Sequence, residues 1–380
     1  MAGDEPRIRP LAWLLAIGVI ALLWRGTRRE ESRALPAEPA SGGGGAFNND
    51  RPSDEPRNWQ LERAREPGRG REATAPWQIP WTGWKDILRR TYAEIGDDRL
   101  LAIAAGVVFY ALLALFPAVT ALVSSYGLFA DYATINDHLA IAATVVPAGG
   151  MGIIQEQVGR VVAKGDVKLS LAFVVGLALA LWSANAGMKA IIDALNVVYD
   201  ENEMRSFVRL NLVSLAFTLG AVVAMLGAIG AVVVFPLLLA GVGLGSFTAT
   251  IVLLLRWPAL VAIVLFGLAV IYRYGPSRRE ARWQWLSVGS VSAAILWLAG
   301  SALLSWYLAN VADYDATYGS LGAAIGLMMW LWLSAIVILL GAELNSEIEH
   351  QTARDSTVGT EKPLGRRGAV MADTVGKATS

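Results

Sequence analysis

The sequence predicts an all-α polytopic membrane protein, a six-transmembrane-helix core plus one N-terminal anchor helix. Three observations carry the prediction. Hydrophobic residues make up 55% of the 380 and charged residues only 17%, a balance too apolar for an ordinary soluble domain. Mean hydropathy is +0.47. The apolar residues are gathered into long charge-free runs, most of which reach the ~20 residues that carry a helix across a ~30 Å hydrocarbon layer.

Taken in order, Leu11–Trp24 is a short apolar run between Arg7 and Arg9 on one side and Arg25, Arg28 and Arg29 on the other. A cleaved signal peptide would end in a small-residue site, but Trp24-Arg25-Gly26-Thr27-Arg28-Arg29 follows the run. Residues 1–24 therefore read as an uncleaved anchor, with a signal peptide as the alternative. From 25 to 82 the chain is rich in Arg, Glu, Pro and Gly and has almost no apolar periodicity. Such a segment buries too little surface to offset its ordering entropy and reads as a disordered linker. Trp77, Trp81 and Trp84, followed by Lys85, Arg89 and Arg90, suit a helix lying at headgroup level. The six-helix membrane domain occupies 83–350, and 351–380 reads as a disordered cytoplasmic tail.

The six spans are Leu101–Val123, Leu169–Met188, Leu210–Phe235, Trp257–Tyr272, Leu286–Ala309 and Leu321–Leu340. Pro117 should kink or interrupt the first, and Pro258 is placed to open the fourth as a first-turn proline. The glycines 241, 243 and 245 with Phe247–Leu255 read as an interfacial piece leading into that fourth span. Basic residues near span ends are retained in the cytoplasm. Fifteen Lys and Arg fall in Thr82–Leu100, Asn185–Arg209, Arg273–Trp285 and Glu343–Arg367, against four in the intervening connections. Both ends of the core are therefore expected in the cytoplasm of a bacterial inner membrane.

The second span continues into a patterned polar stretch. Asn185, Lys189, Asp193 and Asn196 fall within roughly 80° of one another on a helical wheel. They are either a helix end wetted by cytoplasm or a polar stripe inside the bundle, with Lys189 and Asp193 paired at i, i+4. Glu343, Glu347 and His350 share one face at the end of the last span, a weak candidate for a divalent cation beside the simpler reading of a solvated helix end. Arg278, Arg279 and Arg282 form a basic loop that serves topology and could also meet anionic headgroups. His138 has no visible partner.

Several classes are excluded or disfavoured. No Cys is present, so there is no disulfide, thiolate nucleophile or Cys-held metal. Thirty-two basic residues balance thirty-two acidic ones, without the basic footprint of a nucleic-acid binder. No phosphate-cradling loop, Gly-x-Ser-x-Gly, His-Glu-x-x-His or dinucleotide fingerprint stands in a suitable context. No cofactor and no enzymatic activity are expected.

Four motifs occur in order: AAGVVFYALLALFP at Ala104–Pro117, LWSANAGMKAIIDALNVVYDE at Leu181–Glu201, YRYGPSRR at Tyr272–Arg279, and YGSLG with LWLSAIVILLGAELNSEIE between Tyr318 and Glu349. Together they resemble the YihY/BrkB family of bacterial inner-membrane proteins over about Trp84–Glu349. The resemblance implies a six-helix core, a link by name to serum resistance and virulence, and an old ribonuclease label widely regarded as a misassignment. It implies no agreed substrate. The function expected from the residues is that of a transporter or flippase-like permease whose partners are membrane lipid and an envelope lipid or small amphipathic molecule. A membrane-bound ribonuclease and a scaffold without transport are the alternatives.

Overall fold

A computed structural model describes residues 58–129, 166–229, 246–310 and 321–379. The expected anchor, residues 1–24, and His138 lie outside the described residues. Among them the regular structure is helical, apart from one isolated bridge between Ala281 and Thr357. The helices are α1 (Asn58–Ala64), α2 (Trp81–Asp97), α3 (Leu100–Phe129), α4 (Asp166–Val198), α5 (Phe207–Ile229), α6 (Ser246–Tyr274), α7 (Trp283–Asn310), α8 (Leu321–Gln351) and α9 (Val370–Asp373), with a 3-10 turn at Pro76–Gln78. Four stretches are long and apolar enough to cross a membrane: Val174–Val198, Phe207–Ala224, Trp283–Leu308 and Ala324–Gln351. Leu100–Ala114 and Pro258–Tyr274 are shorter apolar helical stretches.

The bundle is organised around α8, which packs on α2, α3, α4, α7 and α9, while α3 lies along α4 and α6 bridges α5 and α7. Its core combines Leu100, Ala104 and Val108 with Leu195, Val198 and Tyr199, and with Tyr272, Leu286, Ala293, Leu339 and Ala342. The opposite sides of the helices remain apolar and exposed, as Trp182, Leu179, Leu212, Val223, Leu298 and Leu303 show. That is the surface expected of helices solvated by lipid.

Two left-handed residues shape the chain at one end of this bundle. Arg99 (φ 52) turns α2 into α3. Asp200 (φ 52) ends α4, and the bonds Asp200 N to Val197 O (2.9 Å) and Glu201 N to Asn196 O (2.8 Å) close a Schellman motif. Such a cap satisfies carbonyls that the last turn leaves without partners.

Several expectations need correction. Neither Pro117 nor Pro258 ends its helix; Pro258 lies inside α6, which is continuous from Ser246, so Phe247–Leu255 is part of that helix. Proline here removes the bond to the carbonyl of Leu254, one lost link in a helix flanked by α5 and α7. The second correction is larger. The described part of the expected linker, 58–82, and the expected tail, 352–379, are not disordered but pack together over the end of the bundle. Ala73, Ala75 and Ile79 are buried, as are Met371, Ala372 and Val375, and a second apolar cluster joins Ala73, Ile79, Ile87, Trp285 and Ile348. These segments have little local periodicity because their partners are distant in sequence.

Arginine side chains hold this capped end. Arg71, only 2% exposed, donates to Gln351 O (3.1 Å), Gly376 O (2.7 Å) and Glu66 (2.7 Å). Arg367 donates to the carbonyls of Lys362, Arg354, Ala372 and Ala353. Residues 375–379 run between α1, α2 and the end of α8, with Arg63 on Val375 O, Arg90 on Lys377 O, Arg89 on Thr379 O, and the Thr379 amide and hydroxyl on Asp86.

Candidate functional site

The four basic connections counted in the sequence come together at the capped end. Arg90 of α2 binds Glu347 and Gln351 of α8. The loop after α6 reaches the segment after α8: Arg278 makes a bidentate pair with Glu349 (3.0 and 2.8 Å), and both side chains are 0% exposed. Ser356 also donates to Glu349 (2.9 Å), and the Arg278 guanidinium lies 4.0 Å over the Tyr199 ring. Burial alone would draw this guanidinium down, but Glu349 outweighs it and holds it above its ordinary value.

Arg282 and the Arg279 backbone reach the same segment, while the Arg279 Nη1 is buried without a hydrogen-bond acceptor among the described residues. The Arg279 amide donates to Gly368 O (2.9 Å), and Arg282 donates through its amide to Ser356 O (2.9 Å) and through Nε to Thr357 O (3.0 Å). Of the three arginines expected to meet headgroups, Arg282 thus binds the 352–379 segment directly, Arg279 does so through its backbone amide, and Arg278 pairs with the Glu349 that also accepts from Ser356. Glu343, Glu347 and His350 do not converge on a cation site: Glu347 is committed to Arg90, and its other oxygen lies 3.6 Å from His350 Nδ1. Among the described residues no group of three or more His, Cys, Asp and Glu side chains is placed to hold a metal ion.

This end also carries raised carboxyls. Burial, then Glu347, pushes Glu94 up to about 7, and burial, then Asp200 and Asp97, pushes Asp98 up to about 6. Asp86 is pushed up by burial, yet the Thr379 amide and Arg69 outweigh this and hold it at about 2. A carboxyl raised in the folded state binds its proton more tightly there than when unfolded, so its contribution is present at low pH and lost as pH rises. Thermal stability in detergent should fall as pH rises from about 5 to about 8, and Glu94→Gln should flatten that slope. The contribution of Asp86 is lost only as pH falls toward about 2, outside this window.

The polar stripe on α4 is divided by the structure. Asn196 is buried in the cap, where Nδ2 donates to Glu203 (3.0 Å) and Oδ1 accepts from the Ser277 amide (2.7 Å). The Asn185 Oδ1 is buried with no hydrogen-bond partner among the described residues. Lys189 does not pair with Asp193. Its Nζ donates to Asn211 Oδ1 of α5 (2.6 Å) and lies 5.8 Å from the Phe207 ring centroid. Asp193 is exposed and makes no hydrogen bond or ion pair among the described residues. Phe207 is 80% exposed, and Met204, Val208 and Leu212 are exposed beside it.

At 1.5 Å per residue, Lys189 stands about 14 Å before Val198, the last residue of its span. Lys189, where α4 meets α5, and the exposed Asp193 one turn on are thus a cation and a carboxylate, neither neutralised by an ion pair among the described residues, and Lys189 lies next to apolar surface. Asn211 is not part of the stripe that periodicity picks out, although it stands in the sequence as a polar interruption in the apolar start of α5. Arg205, which grips Glu203 (2.7 Å) and Gly275 O (2.7 Å), ties the connection between α4 and α5 to the end of α6 and carries no comparable local signal.

Residues 91–364 match the sequence profile of a family described as Virulence factor BrkB. Over 266 residues the chain is 31% identical to a putative ribonuclease-like protein, YfkH, of Bacillus subtilis, covering 69% of this chain and 93% of that one. It is 28% identical to a UPF0761 membrane protein of Alkalilimnicola ehrlichii, covering 69% of this chain but 58% of that protein. A UPF0761 membrane protein of Cronobacter sakazakii is 28% identical, with 70% and 88% covered. No solved structure matches the chain.

Proposed function

This chain belongs to the virulence factor BrkB family of membrane proteins, and from that premise we propose that it is a flippase-like permease for an amphipathic envelope molecule. One observation carries the reading: Lys189, inside a membrane-crossing helix, is paired with a neutral amide and not with the carboxylate one turn away. An ionisable side chain in a membrane helix is costly and ordinarily marks a pathway for a polar group. The face where α4 meets α5 would take the headgroup of such a molecule at Lys189 and Asp193, leaving its chains against Phe207, Val208 and Leu212.

Purified protein in liposomes should transfer a fluorescent phospholipid between leaflets. Lys189→Ala should lower the rate on the order of tenfold, the loss expected when one charge-assisted contact to a headgroup is removed. Transfer unchanged by Lys189→Ala and Asp193→Ala would sink the reading. Cleavage of RNA by the same preparation, lost with Glu343→Gln and Glu347→Gln, would instead favour the ribonuclease-like name that the Bacillus relative carries.

We place six helices across the inner membrane, with the capped end in the cytoplasm. The gathering of the four basic connections on one face supports this orientation. The chain has no Cys, so Lys362→Cys supplies a single exposed thiol. An impermeant maleimide should label it after permeabilisation and not in intact cells; labelling in intact cells would reverse the topology.

A further inference from the structure

Most of the arginines that build the capped end have fixed acceptors: Arg71, Arg90, Arg205, Arg278 and Arg367 each donate to a carboxylate, several carbonyls or both. Arg273, in the last turn of α6, differs from them. Its guanidinium lies 4.4 Å over the Trp283 ring and 5.3 Å from the Tyr274 ring centroid. Its Nε and Nη1 are buried without a hydrogen-bond acceptor among the described residues. No carboxylate pairs with it there, and its third nitrogen, Nη2, remains open to the surroundings.

A guanidinium keeps its charge at any ordinary pH. Aromatic faces offset part of the cost of holding that charge away from water, but they supply no acceptor for the N–H groups. The rings around Arg273 also face outward. Phe266, two turns earlier on the same side of α6, is 67% exposed and stacks on Trp283 at 6.4 Å and 16°. Tyr274 meets Trp283 edge to face at 6.4 Å. Trp283 opens α7 beside the 3-10 turn that carries the exposed Trp77, and Gln284 ties the two through Thr74 O (2.7 Å). Aromatic rings clustered at the end of apolar helices mark the headgroup level.

We propose that Arg273, with Trp283 and Tyr274, binds the phosphate of an anionic phospholipid, whose acyl chain lies along Phe266. The ligand chemistry is a phosphate ester without a cation of its own. The exposed apolar face of α6 identifies its source as bilayer lipid and not free phosphate. The site is distinct from the face at Lys189 and does not depend on transport.

Native mass spectrometry of the full chain, released from detergent containing phosphatidylglycerol, should show a retained lipid that phosphatidylcholine does not replace. Arg273→Gln should weaken that retention roughly tenfold, the size of one lost charge-assisted hydrogen bond. Arg273→Lys should restore part of it, and Lys189→Ala should leave it unchanged. As a second readout, phosphatidylglycerol brominated on its chains should quench tryptophan emission less in Trp283→Phe than in the unaltered protein. Retention of phosphatidylglycerol by Arg273→Gln at the original level would overturn the proposal, provided that variant keeps the unaltered melting temperature. If Arg273→Gln unfolds, undiminished quenching in Trp283→Phe overturns it instead. Displacement of the lipid by inorganic phosphate would also overturn it, by showing a site for free anions.

Discussion

Arg278→Ala should be among the most damaging single substitutions in this protein, costing about 3–5 kcal/mol, because it leaves a buried carboxylate without its counter-charge. The Glu349 side chain is sealed from solvent, and Ser356 would be its one remaining hydrogen-bond partner among the described residues. The substitution also empties the space over Tyr199, itself fully buried. Thermal unfolding in detergent should show a large loss, with early proteolysis of the 352–379 segment. The double replacement Arg278→Met with Glu349→Leu should recover most of the stability, since a well-packed apolar pair often matches a buried ion pair. A single mutant as stable as the original protein would show that the pair is not sealed.

An added methyl at the contact between α7 and α8 should be nearly as costly. A Cβ at Gly341 would stand 2.5 Å from the Tyr272 hydroxyl, 2.7 Å from the Ala293 methyl and 2.7 Å from Gly289 O. A Cβ at Gly289 would strike Gly341 O and the Asn345 side chain. Much of that contact is backbone, so the helices must separate, and with them the bonds from Gly289 N to Asn345 Oδ1 (2.8 Å) and from Tyr272 to Ile338 O (2.8 Å). Gly289→Ala and Gly341→Ala should each cost about 3 kcal/mol, the upper range for overpacking. Gly220→Ala, where nothing lies within 4 Å, is the control, and its melting temperature should be unchanged or slightly raised.

The helices were legible because lipid solvation leaves a local signal, an unbroken apolar run. The predicted start of the last span at Leu321 is the observed one, but α8 continues past Leu340 to Gln351. Glu343, Glu347 and Glu349 end the apolar run there, and they remain helical because Arg90 and Arg278 reach two of them from elsewhere in the chain. The same reason explains why the capped end was read as linker and tail. Arg71 meets Gln351 across 280 residues of sequence, and composition within either segment does not record such a partner. Periodicity grouped Asn185, Lys189, Asp193 and Asn196 as one stripe on α4, but the structure gives them different surroundings. Asn196 belongs to the cap, while Lys189 faces α5, and that difference depends on where the next helix begins.

Residues 375–379 are held in the capped end by groups that stand much earlier in the chain, from Arg63 to Arg90, and this orders biosynthesis. The ribosome delivers α1 and α2 first, so Arg71, Arg89, Arg90 and Asp86 are presented long before Gly376, Lys377 and Thr379 exist to bind them. Every helix can enter the bilayer during that interval, while the face between them stays open. Closure of this face therefore waits on the synthesis of residues 376–379. A chain cut before Gly376 keeps its apolar helices, but Arg71 and Arg90 then lose the carbonyls of Gly376 and Lys377.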